Sequence, residues 1–65
     1  MPAHSSRLDT DPLTVSPEEA ARRLSIPRSR IYQLLQAGEL RSMKEGRRRL
    51  IVTASIADYV NRRAD

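Results

Sequence analysis

The 65-residue sequence contains no cysteine, tryptophan or phenylalanine, and its two tyrosines are its only aromatic residues. Without cysteine, disulfides and thiolate metal sites are excluded, so apolar packing alone must hold the fold together. A domain of this length buries about 60% of the surface of its unfolded chain, which leaves no room for a second domain or a deep cleft. No apolar run approaches the roughly 20 residues of a membrane span or the apolar stretch of a secretory signal. We therefore expect a soluble, cytoplasmic domain that does not associate with membranes.

The residue sets that support catalysis or metal binding are also missing. His4 is the only histidine, and it falls in a polar N-terminal stretch without a partner for acid–base chemistry or metal ligation. The sequence has no spaced Ser-His-Asp group, no pair of carboxylates on one face and no glycine-rich phosphate loop. We expect a protein that is not an enzyme and that holds neither a cofactor nor a metal.

Positive charge, by contrast, is plentiful and unevenly distributed. The formal net charge is +4, but residues 1–20 hold one arginine and four acids, whereas residues 21–65 hold eleven basic and four acidic residues. Eleven of the twelve cations are arginine, whose planar guanidinium binds phosphate or guanine bidentately. A basic folded part is typical of nucleic-acid-binding proteins, although charge alone also fits a merely solvated basic surface.

Cap and turn residues mark a short first helix. Residues 1–12 are polar and predict a flexible tail, and residues 13–15 predict a very short strand or an extended lead-in to the domain. Ser16 as N-cap, Pro17 at the first helical position and Glu19 as the partner in a capping box then begin a helix of about two turns. The folded domain is therefore expected to span residues 13–65.

A second helix is predicted from Pro27 or Arg28 to Ala37, with Gly38 as the left-handed residue that ends it. Helical periodicity buries a stripe over residues 31–35, made of Ile31, Leu34 and Leu35. The opposite face has no glutamate or lysine. Its side chains can hydrogen-bond bases or phosphates: Ser29, Arg30, Tyr32, Gln33 and Gln36.

Two short runs, LRSM (40–43) and RLIV (49–52), flank the segment KEGRR and predict a hairpin in which Gly46 supplies a positive φ. Its register stays open by one residue, because the three consecutive apolar residues 50–52 cannot all face inward. Thr53 is predicted to cap a third helix. Its buried stripe is expected to contain Ile56, Tyr59 and Val60, with Tyr59 as a packing residue.

Two short helices joined by the tight SIPR connection and followed by a hairpin form a winged helix-turn-helix, a mainly α fold with a small β-hairpin. In this fold the second helix enters the major groove of DNA. Arg47, Arg48 and Arg49 are expected at the hairpin tip, where they reach phosphates or the minor groove. The alternative is a charged turn that protects an edge strand from aggregation, a task for which three consecutive arginines are more than is needed.

The stretch LTVSPEEAARRLSIPRSRIYQLLQAGEL, followed by GRRRLIVTASIADYV, resembles the excisionase-type helix-turn-helix domains, a branch of the MerR-like winged helices. The resemblance covers residues 13 to about 61. Pro27 and Val52 depart from the family pattern, which frequently has a Ser or Thr cap and a proline at these places. The resemblance implies that the second helix reads bases through Arg28, Ser29, Arg30 and Gln33, and that the wing contacts the DNA backbone through Lys44, Arg47 and Arg48.

Other side chains are assigned from the residues themselves. Arg49 extends the wing, and Tyr32 either bonds a phosphate or covers the edge of the core. Arg22 and Arg23 on the first helix are weaker candidates for DNA contact, with Glu18 and Glu19 as competing i,i+4 partners.

The resemblance implies an excisionase, or recombination directionality factor: a phage or mobile-element protein that binds double-stranded DNA at adjacent sites and bends it so that an integrase performs excision. MerR-like activators carry an effector domain and a long dimerising helix after the wing, which we do not expect here. A small transcriptional regulator with the same fold is the alternative, and a basic protein–protein adaptor is a third reading. Because no heptad stripe follows the third helix, we expect a monomer in free solution.

Overall fold

The computed structural model of the chain describes residues 12–64 and contains three helices and a small antiparallel sheet. The predicted winged helix-turn-helix architecture is confirmed. The predicted tail over residues 1–12 lies outside the described residues, apart from Pro12. Among the described residues, no helix has the length and apolar character needed to cross a bilayer. In chain order the elements are β1 (Thr14–Val15), α1 (Pro17–Leu24), α2 (Arg28–Gln36), β2 (Ser42–Glu45), β3 (Arg48–Val52) and α3 (Thr53–Arg63).

The start of α1 follows the predicted cap. Ser16 has extended backbone angles and its side chain accepts a hydrogen bond from the backbone N–H of Glu19, at 3.1 Å, while Pro17 occupies the first helical position. The reciprocal half of the predicted capping box does not form, because the Glu19 carboxylate accepts from Arg22 and Arg23 instead. One side-chain cap therefore fixes where α1 begins.

The second helix has a weaker start and a well-defined end. Its N-cap is Pro27, which has extended backbone angles and offers no side-chain hydrogen bond. At the other end Gly38 has the predicted positive φ, 79°, which glycine adopts without steric cost. Ile31 and Leu34 are buried as predicted, and Leu35 is half-buried against the core.

The sheet has the strand order β1-β3-β2, and its register resolves the ambiguity left by the sequence. Ser42 pairs with Ile51 and Glu45 with Arg48, so Gly46 and Arg47 form a two-residue turn in which Gly46 has a φ of 61°. Ile51 faces the core and is fully buried. The predicted second strand, residues 49–52, lies within β3, whereas the predicted first strand, residues 40–43, begins two residues too early, because the turn is shorter than the segment KEGRR.

One apolar cluster lies between the helices and the inner face of the sheet. Ile31 of α2 and Ile51 of β3 are its largest fully buried side chains, so the second helix and the hairpin are held by the same core. Full burial of such side chains is the main stabilising contribution in a domain without disulfides. The other buried apolar members are Val15, Ala20, Ala21, Leu34, Leu40 and Ile56.

Two predictions for the third helix are wrong. Thr53 is the first helical residue and not the cap, because β3 continues directly into α3 and Val52 takes the N-cap position. The Thr53 hydroxyl donates to the carbonyls of Pro12 and Leu13, at 2.9 and 3.0 Å, and does not cap the helix. Val60 is 44% exposed. The buried face is rotated toward Ser55, which lies inside with Ile56.

Tyr59 packs against the core as predicted, and the Arg63 guanidinium lies 5.1 Å from the centre of its ring.

Candidate nucleic-acid interface

The outer face of α2 presents polar side chains and no acid. Residues 28–30, 32 and 33 are all exposed, and the first turn of the helix contains no acidic residue. Pro27 gives this terminus no side-chain cap. The positive end of the helix dipole therefore lies uncapped here, close to the guanidiniums of Arg28 and Arg30. The N-terminal end of α2 therefore favours anions or base acceptors.

Helical periodicity arranges this face as two flanks and a middle. Tyr32 lies on the flank next to the hairpin, Arg30 lies on the other flank, and Ser29 and Gln33 lie between them. Arg30 Nη1 donates a hydrogen bond to Gln33 Oε1 at 2.8 Å. This contact leaves the amide NH2 group of Gln33 and a second oxygen lone pair available, which are the groups that pair with adenine.

The hairpin carries four cations, and all of them are exposed: Lys44, Arg47, Arg48 and Arg49. Only Arg47 belongs to the turn, so placing all three arginines at the tip was wrong for Arg48 and Arg49, which lie in β3. Strand alternation puts Arg49 on the same face as the buried Ile51, toward the helices, while Arg48 directly follows the turn. Arg49 Nη1 donates to Ser42 Oγ at 2.9 Å across the strands.

A shallow groove of about 330 Å³ separates the hairpin from α2 and the start of α1. A second depression of about 270 Å³ adjoins it and is lined by Tyr32, Leu35, Gln36 and Arg49. Since Tyr32 and Arg49 line both, the groove brings predicted contact residues of the second helix and of the wing onto one surface. Arg22 and Arg23 are not among its lining residues.

Ion pairs divide the cations into two groups. Glu19 binds Arg22 and Arg23, Glu18 binds Arg28, and Glu39 binds Arg62 and Arg63 at 3.1 and 3.9 Å. Six cations of residues 12–64 have no such partner, and five of them belong to α2 or the hairpin. Of the five arginines that do bind an acid, only Arg28 lies on one of these two elements. Within residues 12–64, those with no acidic group within 4 Å are Arg30, Arg41, Lys44, Arg47, Arg48 and Arg49.

The two glutamates of α1 are held in their charged form. Hydrogen bonds from Arg22 and Arg23 lower the pKa of Glu19. The pKa of Glu18 is lowered first by a hydrogen bond from the backbone at its own helix terminus and then by the hydrogen bond from Arg28. Both carboxylates are therefore ionised at neutral pH, and their negative charges balance the positive charges of the arginines they bind.

Glu18 is the residue of this surface that the sequence did not reveal. The i,i+4 spacing correctly paired Glu19 with Arg23 but wrongly paired Glu18 with Arg22, since Glu18 binds Arg28, ten residues away across the interhelical turn. An acid in the first turn of one helix and an arginine opening the next, separated by a tight connection, were the available signal.

Comparison with known proteins agrees with the helix-turn-helix arrangement of α1 and α2. A family model described as a helix-turn-helix domain matches residues 14–64. The chain is 42% identical over 45 residues to a probable excisionase from Saccharopolyspora erythraea. The aligned region covers 69% of this chain and 46% of that protein, so the chain spans about half the length of the curated relative it matches. No solved structure was found to match.

Proposed function

This chain belongs to the helix-turn-helix domain family, a family of DNA-binding domains, and we propose that it is a sequence-specific architectural protein of the excisionase type. Its partners would be double-stranded DNA, further copies of itself on adjacent sites, and an integrase, in the cytoplasm or nucleoid of the host cell. The observation that carries the proposal is that, among residues 12–64, five of the six cations without an acidic partner lie on the hairpin, which holds four, or on α2, which holds Arg30.

In the proposed complex α2 lies in the major groove with its N-terminal half toward the bases. Gln33, oriented by Arg30, pairs with adenine, and the guanidinium of Arg30 contacts a guanine or a phosphate. Ser29, in the first turn, lies close to the backbone or to a base edge. Arg28 and Tyr32 occupy the flank of α2 next to the groove, where the tyrosine hydroxyl reaches a phosphate.

The hairpin contacts the DNA backbone. Lys44, Arg47, Arg48 and Arg49 supply four positive charges within two short strands and one turn. If each neutralises one phosphate, together they contribute about −3.6 to the slope of log K against log salt, at roughly −0.9 per contact. Arg22 and Arg23 contribute less in this proposal, because Glu19 already binds both.

The choice of an excisionase over a transcriptional regulator is supported by the name of the similar protein. In this proposal several copies bind side by side and bend the DNA, and contacts that the bend permits repay the cost of deforming it.

Selection from a random-sequence duplex library identifies the preferred site, and circularly permuted fragments carrying that site then report the bend by gel mobility. We expect cooperative binding to adjacent sites with a measurable bend. A single independent binding event without a bend would favour the transcriptional regulator. Absence of DNA binding at low salt would favour a protein–protein adaptor.

A further inference from the structure

We infer that Glu18 is a specificity-determining residue, which binds Arg28 and thereby keeps this arginine from contacting DNA phosphates while leaving it free to contact a base. The inference rests on the proposed function, since it concerns DNA bound by α2 and the hairpin. It assigns a role to an acidic residue that makes no favourable contact with DNA itself.

The ion pair joins the two helices of the helix-turn-helix. Glu18 Oε2, in the first turn of α1, accepts a hydrogen bond from Nη1 of Arg28, the first residue of α2, at 2.5 Å. The Arg28 guanidinium also lies 5.8 Å from the centre of the Tyr32 ring. Both members of the pair are more than half exposed, at 52% for Glu18 and 58% for Arg28, so DNA can reach them.

Glu18 is an acidic residue in a groove lined by arginines. It lines the groove together with Tyr32 and the three hairpin arginines, and among the described lining residues of that groove it is the only acidic one. A phosphate entering the groove would approach Arg47, Arg48 and Arg49 but would meet the carboxylate of Glu18 at the Arg28 side. The carboxylate therefore limits where a phosphate can be bound.

The chemistry of guanidinium explains why this limit favours sequence reading. Arginine has five N–H donors, so Arg28 can keep Glu18 on one nitrogen and still donate to a neutral acceptor such as guanine N7 or O6. A phosphate at the same guanidinium would bring a second negative charge close to Glu18, and like charges repel. Glu18 therefore penalises phosphate contacts, which every DNA offers, more than base contacts, which only matching DNA offers.

The test is Glu18→Gln, measured on a random-sequence duplex of about 25 base pairs over a range of salt concentrations. We expect tighter binding than wild type and a slope of log K against log salt that is steeper by about 0.9, because Arg28 becomes free to neutralise one phosphate. The advantage of the variant should then shrink about 3.5-fold between about 50 and about 200 mM salt.

Two further variants separate this mechanism from a general effect of charge. In an Arg28→Gln background, Glu18→Gln should leave the slope unchanged, since the arginine it would release is gone. Glu39→Gln removes the same charge and releases Arg62 and Arg63 near the C-terminal end of α2, and it should also leave the slope unchanged. A steeper slope in either of these comparisons would overturn the inference.

A readout without DNA completes the design. In the free protein, the pKa of the Glu18 carboxyl measured by NMR should rise when Arg28 is replaced by glutamine, because the hydrogen bond from the guanidinium lowers it. An unchanged pKa would overturn the ion pair itself. A wild-type protein that does not bind the random duplex at low salt would overturn the proposed function, whereas binding with a slope that Glu18→Gln does not change would overturn this inference alone.

Discussion

Ser55 links the start of the hairpin to the start of α3, and replacing it with alanine breaks two hydrogen bonds at once. The side chain is 4% exposed. Its Oγ accepts from the backbone N–H of Arg41 at 3.0 Å and donates to the carbonyl of Val52 at 2.6 Å. In Ser55→Ala the Arg41 N–H loses its acceptor in a partly buried position, where water replaces it poorly.

The cost follows from that unsatisfied donor. A buried polar group left without a partner destabilises a protein by about 1–3 kcal/mol, and the small cavity left by the hydroxyl adds little. A domain of this size has roughly 3–10 kcal/mol of total stability. A loss of about 1.5 kcal/mol should lower the thermal midpoint by about 6–12 °C.

Thr53→Ala is the matched control, because it removes a hydroxyl from the same helical turn. The Thr53 hydroxyl is exposed and donates to the Pro12 and Leu13 carbonyls, so its loss should cost less than about 1 kcal/mol. Circular dichroism gives both thermal midpoints, and hydrogen exchange should show faster exchange of the Arg41 amide in Ser55→Ala only. If Thr53→Ala were the more destabilising change, the exposed hydrogen bonds of Thr53 would contribute more than the buried ones of Ser55, and the expected cost of Ser55→Ala would be refuted.

Three other outcomes are expected. Gln33→Ala should cost about 1–3 kcal/mol on the selected DNA site and little on random DNA, because a bidentate base contact carries sequence information; equal losses in gel-shift titrations on both DNAs would contradict this. Deleting residues 1–11 should leave the thermal midpoint and DNA affinity nearly unchanged, since the described folded core lies within residues 12–64. The pKa values of Glu18 and Glu19 are lowered in the folded state. Their contribution to stability is therefore present at neutral pH and is lost as the pH falls through the lowered values. In denaturant titrations, a Glu18→Gln/Glu19→Gln double variant should lose less stability in acid than the wild type does.

Local signals in the sequence were sufficient for the first two helices and for the turn glycines. Ser16 and Pro17 mark the start of α1 because capping depends on neighbours within three residues, and Gly38 and Gly46 mark positions where φ is positive. Ile31 is predicted as a core residue from periodicity alone, and it is fully buried.

Features that depend on distant residues could not be read in the same way. The hairpin register depends on β1 and β2 both pairing with β3, which places Ile51 inward and moves Arg48 and Arg49 out of the turn. Thr53 has the chemistry of a cap, but its hydroxyl donates to the carbonyls of Pro12 and Leu13, forty or more residues earlier in the chain. The pairing of Glu18 with Arg28 likewise depends on how α1 and α2 meet and not on helical spacing.

DNA binding through the hairpin is tested most directly by the salt dependence of binding by a hairpin variant. Arg47→Gln/Arg48→Gln/Arg49→Gln is compared with wild type and with Arg62→Gln/Arg63→Gln, whose arginines are bound by Glu39, on one random-sequence duplex. We expect the hairpin variant to lose about 2.7 from the magnitude of the slope, at roughly 0.9 per phosphate contact, while the control keeps the wild-type slope. A hairpin variant with the wild-type slope, or a control that loses as much, would contradict the placement of DNA on α2 and the hairpin.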